Sequence, residues 1–183
     1  MKRLASMIIA VMTVAAVAAQ NAQDFASRFM QEYEKDTAVL CVTVSPKMME
    51  QLTKYSDSEN STGMTQAIQK LKSARIVTAS SNGREYYRQA EELLGKNSSR
   101  FRKNRSYNST GARGTFYTRQ TKEGDTVELI LLHKDTKQDT MVIVNLTGDI
   151  DDEFINSLAK HFGVKTAKAG QAARQTRIRP SAG

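Results

Sequence analysis

Apolar residues recur at helix and strand spacings through the first third of the chain. A four-residue spacing predicts a helix over residues 24–34, and the alternating, β-branched run at 38–44 predicts a buried strand. Ser45 and Pro46 predict the end of that strand and the first turn of a second helix, because serine caps free N–H groups and proline lacks one. The positions expected to face the core are Phe25, Phe29, Tyr33, Met48, Met49 and Leu52.

The middle of the chain alternates between polar connections and short elements. Residues 56–63 are polar and predict a surface loop, which a short third helix and a strand at 75–79 follow. Asn82 with Glu85 three residues later resembles a capping box, and the helix that it opens is expected to end at Gly95. The apolar positions expected to pack inward are Met64, Ile68, Leu71, Tyr86, Ala90, Leu93 and Leu94.

The second half of the chain changes to a two-residue period. Alternating runs separated by short polar turns predict an antiparallel meander of four strands, at residues 101–107, 115–121, 126–133 and 140–147. Two segments, 127–132 and 141–146, are apolar on both strand faces, which predicts that these strands are central. Asp149 or Asp151 then caps a final helix that ends at Gly163.

This order of elements predicts an α+β fold. The first part has the order helix, strand, helix, helix, strand, helix, and the four-strand meander and the last helix follow. We expect a two-layer sandwich in which the helices pack on one face of a largely antiparallel sheet. Residues 20–164 are long enough for one domain with a single core, so the predicted division is a signal peptide at 1–19, that domain, and a tail at 165–183.

The first nineteen residues have the three parts of an export signal. Lys2 and Arg3 precede the apolar run 4–19, and small residues near Ala18 and Ala19 suit a signal peptidase. An uncleaved anchor is the alternative, but the run is short against the roughly 20 residues that span a bilayer. No cysteine lies at or just after the cleavage region, so a lipid anchor is not expected. The sequence therefore predicts a periplasmic or secreted protein with no stable membrane insertion after cleavage.

Charge is concentrated outside the predicted domain. The whole chain carries +8, of which the leader holds two charges and the acid-free tail holds five, so +1 remains for residues 20–164. The tail is rich in Ala, Gln and Gly and predicts disorder, because it buries too little apolar area to offset its ordering entropy. It is either a solvated tail or a contact for an anionic surface through Lys165, Lys168, Arg174, Arg177 and Arg179.

A second basic group lies at the start of the meander. Its cations alternate with aromatic residues, a pattern that RNA-binding sheets use to stack bases. Export counts against nucleic acid, so we expect either edge-strand charges that discourage aggregation or contacts to an anionic partner. The residues with this candidate role are Arg100, Arg102, Lys103 and Arg105.

Catalytic and metal-binding motifs are absent from the sequence. The sole cysteine, Cys41, lies in an apolar run and is expected to pack in the core, while His133 and His161 are expected to be structural or surface residues. The acids at 149–153 lack the spacing of a calcium loop and suit a helix N-terminus. No cofactor is predicted, and the sequence leans away from an enzyme.

The chain resembles the DUF4252 family of exported bacterial proteins of unknown function. The resemblance is carried by the leader, the strand-to-helix passage at 42–48, the segment 71–78 and the meander closing at 144–150. It covers about residues 24–163 and implies no catalytic residues, although it suggests a place in envelope signalling or stress. The tail has no counterpart in it.

Two functions follow from these observations. The first is a non-enzymatic envelope module that binds a protein or an anionic partner through its sheet or its tail. The alternative is an enzyme or a small-ligand protein with a spatially assembled site that includes His133 or Cys41. The sequence does not predict the oligomeric state.

Overall fold

The structure, a computed structural model, describes residues 23–54 and 61–161. Six antiparallel strands form one sheet in the order β1-β2-β6-β5-β4-β3. The strands are β1 (Val39–Val44), β2 (Leu71–Ala79), β3 (Arg102–Asn108), β4 (Ala112–Gln120), β5 (Thr126–Asp135) and β6 (Thr140–Gly148). The helices are α1 (Phe25–Glu32), α2 (Pro46–Lys54), α3 (Ser61–Gln69), α4 (Gly83–Lys96) and α5 (Asp152–His161). The α+β class, the four-strand meander and the C-terminal helix are thereby confirmed.

The central position of the two most apolar strands is also confirmed. β5 and β6 are neighbours at the middle of the sheet. Along β5, Leu129 and Leu131 belong to one hydrophobic core, while Ile130 and Leu132 belong to another. Because successive side chains of a strand point to opposite faces, the sheet buries apolar residues on both sides.

Helices cover both faces of the sheet. On what we call the first face, α1 and α4 pack over β5 and β6, and on the second face α2, α3 and α5 pack over the same sheet. We expected all helices on one face. The molecule needs a third layer because a sheet that is apolar on both sides must bury both. The first-face core includes Phe25, Phe29, Tyr87, Leu94, Ile130 and Met141, and the second-face core includes Met49, Phe116, Leu129, Leu146, Phe154 and Ile155.

Side-chain caps start three of the helices, and the caps at Ser45 and Asp151 are ones that the sequence predicts. Asp24 accepts a hydrogen bond from the Ser27 amide at 2.8 Å, and the Ser45 hydroxyl accepts one from the Met48 amide at 3.3 Å. Asp151 accepts from the Phe154 amide at 2.8 Å, which selects Asp151 over Asp149 as the cap of α5. Each cap satisfies an amide that the helix leaves without an intrahelical partner.

The predicted capping box at the start of α4 does not form. Asn82 adopts a left-handed conformation with φ of 53° and makes no side-chain cap, and the Gly83 amide instead donates to the carbonyl of Asp139 at 2.7 Å. The helix also continues past Gly95 to Lys96. The turn between β5 and β6 thus takes over the capping role, a tertiary contact that local sequence spacing does not encode.

β1 lies at the edge of the sheet and is largely exposed, which corrects two predictions. It was expected to be a buried strand with Cys41 in the core, but only Val39 is buried and Cys41 is exposed. Apolar alternation indicates a strand but does not distinguish an edge strand, with one neighbour, from a central one.

One position of α2 also differs from the prediction. Met48 was expected to face inward and is 49% exposed, whereas its neighbour Met49 is buried.

Several other predictions fall wholly or partly outside the described residues. The leader at 1–19 and the tail at 165–183 lie there, as do the side chain of Leu52 and the helix end at Gly163. The polar segment 56–63 is described only from residue 61, where α3 already begins. β2 starts at Leu71, four residues earlier than the strand that we predicted.

Candidate functional site

A buried carboxylate joins the start of α1 to the middle of the sheet. Glu128 is fully buried, and its Oε1 accepts hydrogen bonds from the Phe25 amide at 2.7 Å and from Nδ2 of Asn145 at 3.1 Å. Its Oε2 accepts from Nε of Arg119 at 2.7 Å. Asn145 in turn accepts from the Ala26 amide at 2.7 Å. Since a helix N-terminus favours negative charge, this cluster fixes α1 to β5 and β6.

Arg100 completes the cluster from the side. The Nη2 atom of Arg100 donates to the carbonyl of Gln23 and lies 4.0 Å from Oε2 of Glu128. The guanidinium carbon is 5.1 Å from the ring centroid of Phe101. The Arg100 side chain is only 14% exposed. Burial is the main cause that lowers the pKa of Arg100, and the Glu128 carboxylate opposes it. Arg100, a predicted contact for an anionic partner, therefore lies in the interior.

The other predicted basic contacts have different surroundings. Arg102 and Lys103 are exposed at the β3 edge of the sheet. Arg105 is half-buried and donates to Asn156 of α5 at 2.8 Å and to Asn104 at 2.7 Å. Of the β3 cations, the exposed pair is thus Arg102 and Lys103. The tail cations Lys165, Lys168, Arg174, Arg177 and Arg179 lie outside the described residues.

Tyr107 and His133 form a hydrogen-bonded pair across a glycine. Gly114 of β4 is paired with Tyr107 on one side and with His133 on the other. A Cβ atom at Gly114 would come within 2.5 Å of the Tyr107 ring, so the ring lies directly on the glycine backbone and its hydroxyl reaches Nδ1 of His133. Burial raises the pKa of Tyr107 to about 12 and lowers the pKa of His133, which keeps both groups neutral near pH 7.

Cys41 and His133 lie on opposite faces of the sheet. Cys41 is paired with Val77, a first-face core residue, whereas the neighbours Tyr107 and Phe116 place His133 on the second face. Desolvation is the main cause that raises the pKa of the Cys41 thiol. A thiol that remains protonated and faces away from the imidazole is not a Cys–His nucleophile.

The outer edge of β1 is open on its main-chain side. The Ser80 amide donates to the carbonyl of Ala38 at 3.4 Å, so alternate residues from Ala38 onward bond to β2. The amides and carbonyls of Cys41 and Thr43 therefore point away from β2. Within the described ranges, no strand lies on that side of β1.

Exposed apolar side chains border this open edge. Leu40 is 63% and Val42 is 57% exposed, and both project from the second face. No residue from 39 to 44 is charged, whereas the opposite edge strand, β3, carries Arg102, Lys103 and Arg105 and an irregular register. Proteins protect exposed edges with charges and bulges, so β3 is a protected edge and β1 is not.

Sequence reasoning missed both Glu128 and the exposure of β1. An acid inside a strand that is otherwise apolar on both faces is a signal that could have identified Glu128. No comparable signal exists for β1, because its edge position depends on how distant strands pair.

Two further findings concern the residues at 23–54 and 61–161. No group of three or more His, Cys, Asp or Glu side chains there is placed to hold a metal ion. No helix there combines the length and the apolar character of a membrane span.

Comparison with known proteins identifies a family but no activity. The structure of PA94 from Pseudomonas aeruginosa, described as a protein of unknown function and candidate regulator, matches with 12% identity over 80% of this chain and 87% of its own, with a TM-score of 0.36. The Ran-binding protein Mog1p of Saccharomyces cerevisiae matches with 14% identity over 49% of this chain and 56% of its own, with a TM-score of 0.26. No curated protein matches. The sequence model of the domain of unknown function DUF4252 matches residues 33–158, and the chain belongs to that family.

Proposed function

We propose that this protein is an exported, non-enzymatic binding module of the cell envelope that holds a partner at the β1 edge of its sheet. One observation carries the proposal: β1 combines outward main-chain groups that face no strand within residues 23–54 and 61–161 with the exposed apolar side chains of Leu40 and Val42 and with no charge. An extended segment that adds to such an edge gains main-chain hydrogen bonds and buries alternate side chains. Membership of a family without an assigned activity is consistent with a binding role.

Chemistry on the described residues favours binding over catalysis. The two side chains that an enzyme hypothesis would use, Cys41 and His133, are separated by the sheet. The Glu128 carboxylate accepts from the Phe25 amide, Asn145 and Arg119 and lies in the interior. Binding at a sheet edge needs neither group.

Export is the second part of the proposal and rests on the leader sequence. A positive end, an apolar run and small residues at 16–19 suit signal peptidase cleavage. Intact-mass measurement of the protein recovered from a periplasmic or culture fraction tests it. We expect a chain that begins after Ala18 or Ala19, and a full-length protein in the cytoplasmic fraction would contradict export.

Partner capture tests the binding role. Three samples are each immobilised and exposed to envelope extract at low salt: the mature wild-type protein, the Val42→Lys variant and the Ser106→Lys variant. Ser106 is the matched control because it is exposed on the opposite edge strand, β3. We expect a partner to be retained by the wild type and by Ser106→Lys and lost from Val42→Lys, since a lysine on an edge blocks strand addition. Equal retention by all three would contradict binding at β1.

A fourth sample, a truncated protein, distinguishes binding at the β1 edge from binding by the tail. Removal of residues 165–183 deletes five cations and no acid. If the partner is held at β1, this truncation retains it, and a moderate rise in salt does not release it. Loss on truncation, together with release by salt, would instead assign binding to an anionic partner of the tail.

A further inference from the structure

We infer that β1 pairs with β1 of a second copy of this chain, so that two sheets join edge to edge about a two-fold axis. This inference rests on the proposed function and names the partner as the protein itself. A two-fold interface uses the same patch on both subunits, so the patch must be complementary to itself. An uncharged strand with alternate apolar side chains meets that condition.

The hydrogen-bonding groups of β1 define the register of this pairing. The outward main-chain groups belong to alternate residues, with Cys41 in the centre and Val39 and Thr43 on either side. The Val39 amide already donates to the carbonyl of Asp36 at 3.2 Å, but its carbonyl is available. A register centred on Cys41 therefore pairs Cys41 with Cys41 of the second copy, and each Thr43 amide with a Val39 carbonyl of the other copy.

The same register brings the exposed side chains together. Leu40 of one copy lies opposite Val42 of the other, and the arrangement is repeated by symmetry on the second face. These side chains are 63% and 57% exposed in the single chain. Cross-strand contact between them removes apolar area from water, which favours association.

Charge distinguishes β1 self-pairing from its alternatives. Two β3 edges would place Arg102, Lys103 and Arg105 against their own copies, and like charges directly opposite one another are destabilising. Two β1 edges bring no charged side chain of the strand into contact. The contact is one strand wide and therefore falls in the small class of interfaces, which predicts a reversible dimer with a dissociation constant in the micromolar range, on the order of 1–100 μM.

Sedimentation equilibrium of the mature protein over about 1–300 μM tests the dimer. We expect the wild type and Ser106→Lys to pass from monomer to dimer, and Val42→Lys to remain monomeric. Leu40→Lys, on the same exposed row, is a second variant, and circular dichroism verifies that each variant is folded. A wild type that stays monomeric at every concentration, or lysine variants that dimerise like the wild type, would overturn the inference.

Thiol cross-linking tests the register. In the register centred on Cys41 the two Cα atoms lie about 5.5 Å apart, within the range that a disulfide bridges. Moving the thiol with Cys41→Ser and Thr43→Cys places the two Cα atoms about 14 Å apart along the strands, beyond that range. We expect copper-phenanthroline to cross-link the wild type rapidly and the shifted variant at least tenfold more slowly. Equal rates would overturn the register.

Failure of this inference and failure of the proposed function give different results. If the wild type is monomeric but Val42→Lys still abolishes capture of an envelope protein, the edge binds another protein and the second copy is excluded. If the wild type neither dimerises nor retains a partner that depends on Val42, the proposed function fails as well.

Discussion

Replacement of the Glu128 carboxylate by an amide should destabilise the fold far more than the same change on the surface. Glu128→Gln preserves shape and can still accept the Phe25 amide, but it turns an N–H group toward Nε of Arg119, which is 2.7 Å from the carboxylate in the wild type. It also leaves the cationic Arg100, whose side chain is 14% exposed, without its buried countercharge.

The size of the effect follows from burial. Loss of one partner from a buried ion pair costs about 3–5 kcal/mol. Because the Arg119 side chain is 29% exposed and can turn toward water, we expect the lower end, about 3 kcal/mol. That is a large fraction of the roughly 5–15 kcal/mol that holds a domain folded.

Urea unfolding of the mature protein measures the change. With a slope of about 1–3 kcal/mol per molar urea, the expected loss lowers the midpoint by about 1–3 M. Glu92→Gln is the matched control, because Glu92 forms an exposed pair with Arg88 on α4 and should lose less than about 1 kcal/mol. Amide exchange in α1 should accelerate in Glu128→Gln alone. A loss below about 1 kcal/mol, or one equal to that of Glu92→Gln, would refute the anchoring role.

Three further predictions concern glycines, a cap and a histidine. Gly95→Ala should raise the free energy of unfolding by about 0.5–1 kcal/mol, because Gly95 lies inside α4 with open space around it. Gly148→Ala should lower the free energy of unfolding by more than about 1 kcal/mol, because φ is +146° and the new Cβ would lie 2.5 Å from the Lys70 carbonyl oxygen. Urea unfolding that showed the same sign for both variants would contradict this prediction. Asp151→Ala should cost about 1 kcal/mol through loss of the α5 cap, and an unchanged urea midpoint would count against it. The folded-state pKa of His133 is lowered below 6.5, so the stability that the neutral imidazole contributes is present above pH 6.5 and is lost as pH falls through the folded pKa. The free energy of unfolding of the wild type should therefore fall relative to that of His133→Gln on acidification. A difference between the two proteins that does not change with pH would refute the shift.

The sequence predicts most secondary structure because periodicity records which residues are buried. β5 and β6 are apolar on both faces, and both lie at the centre of the sheet. Ser45 and Asp151 cap helices as expected, because each acts on an amide three residues away. Local interactions of this kind are fully encoded in a short window of sequence.

What the sequence did not predict depends on contacts between distant residues. The start of α4 is capped by the carbonyl of Asp139, more than fifty residues away, and not by Asn82. Glu128 is buried where the Phe25 amide and Arg119 donate to its carboxylate. The sequence of β1 predicts a core strand, but its position at the sheet edge leaves Leu40 and Cys41 exposed.

The two edges of the sheet offer separate surfaces, and ionic strength distinguishes them. If β1 pairs with a second copy, the joined sheet ends in β3 on both sides, and Arg102 and Lys103 of each copy remain exposed. A dimer built on uncharged β1 strands should persist as salt rises, because apolar burial is not screened. Binding of an anionic partner at Arg102 and Lys103 should weaken over the same range, since exposed charges are screened within about 10 Å at 0.1 M salt. The predicted basic contacts and the proposed β1 pairing are therefore compatible, and a salt series followed by both sedimentation and partner capture assigns each activity to its own edge.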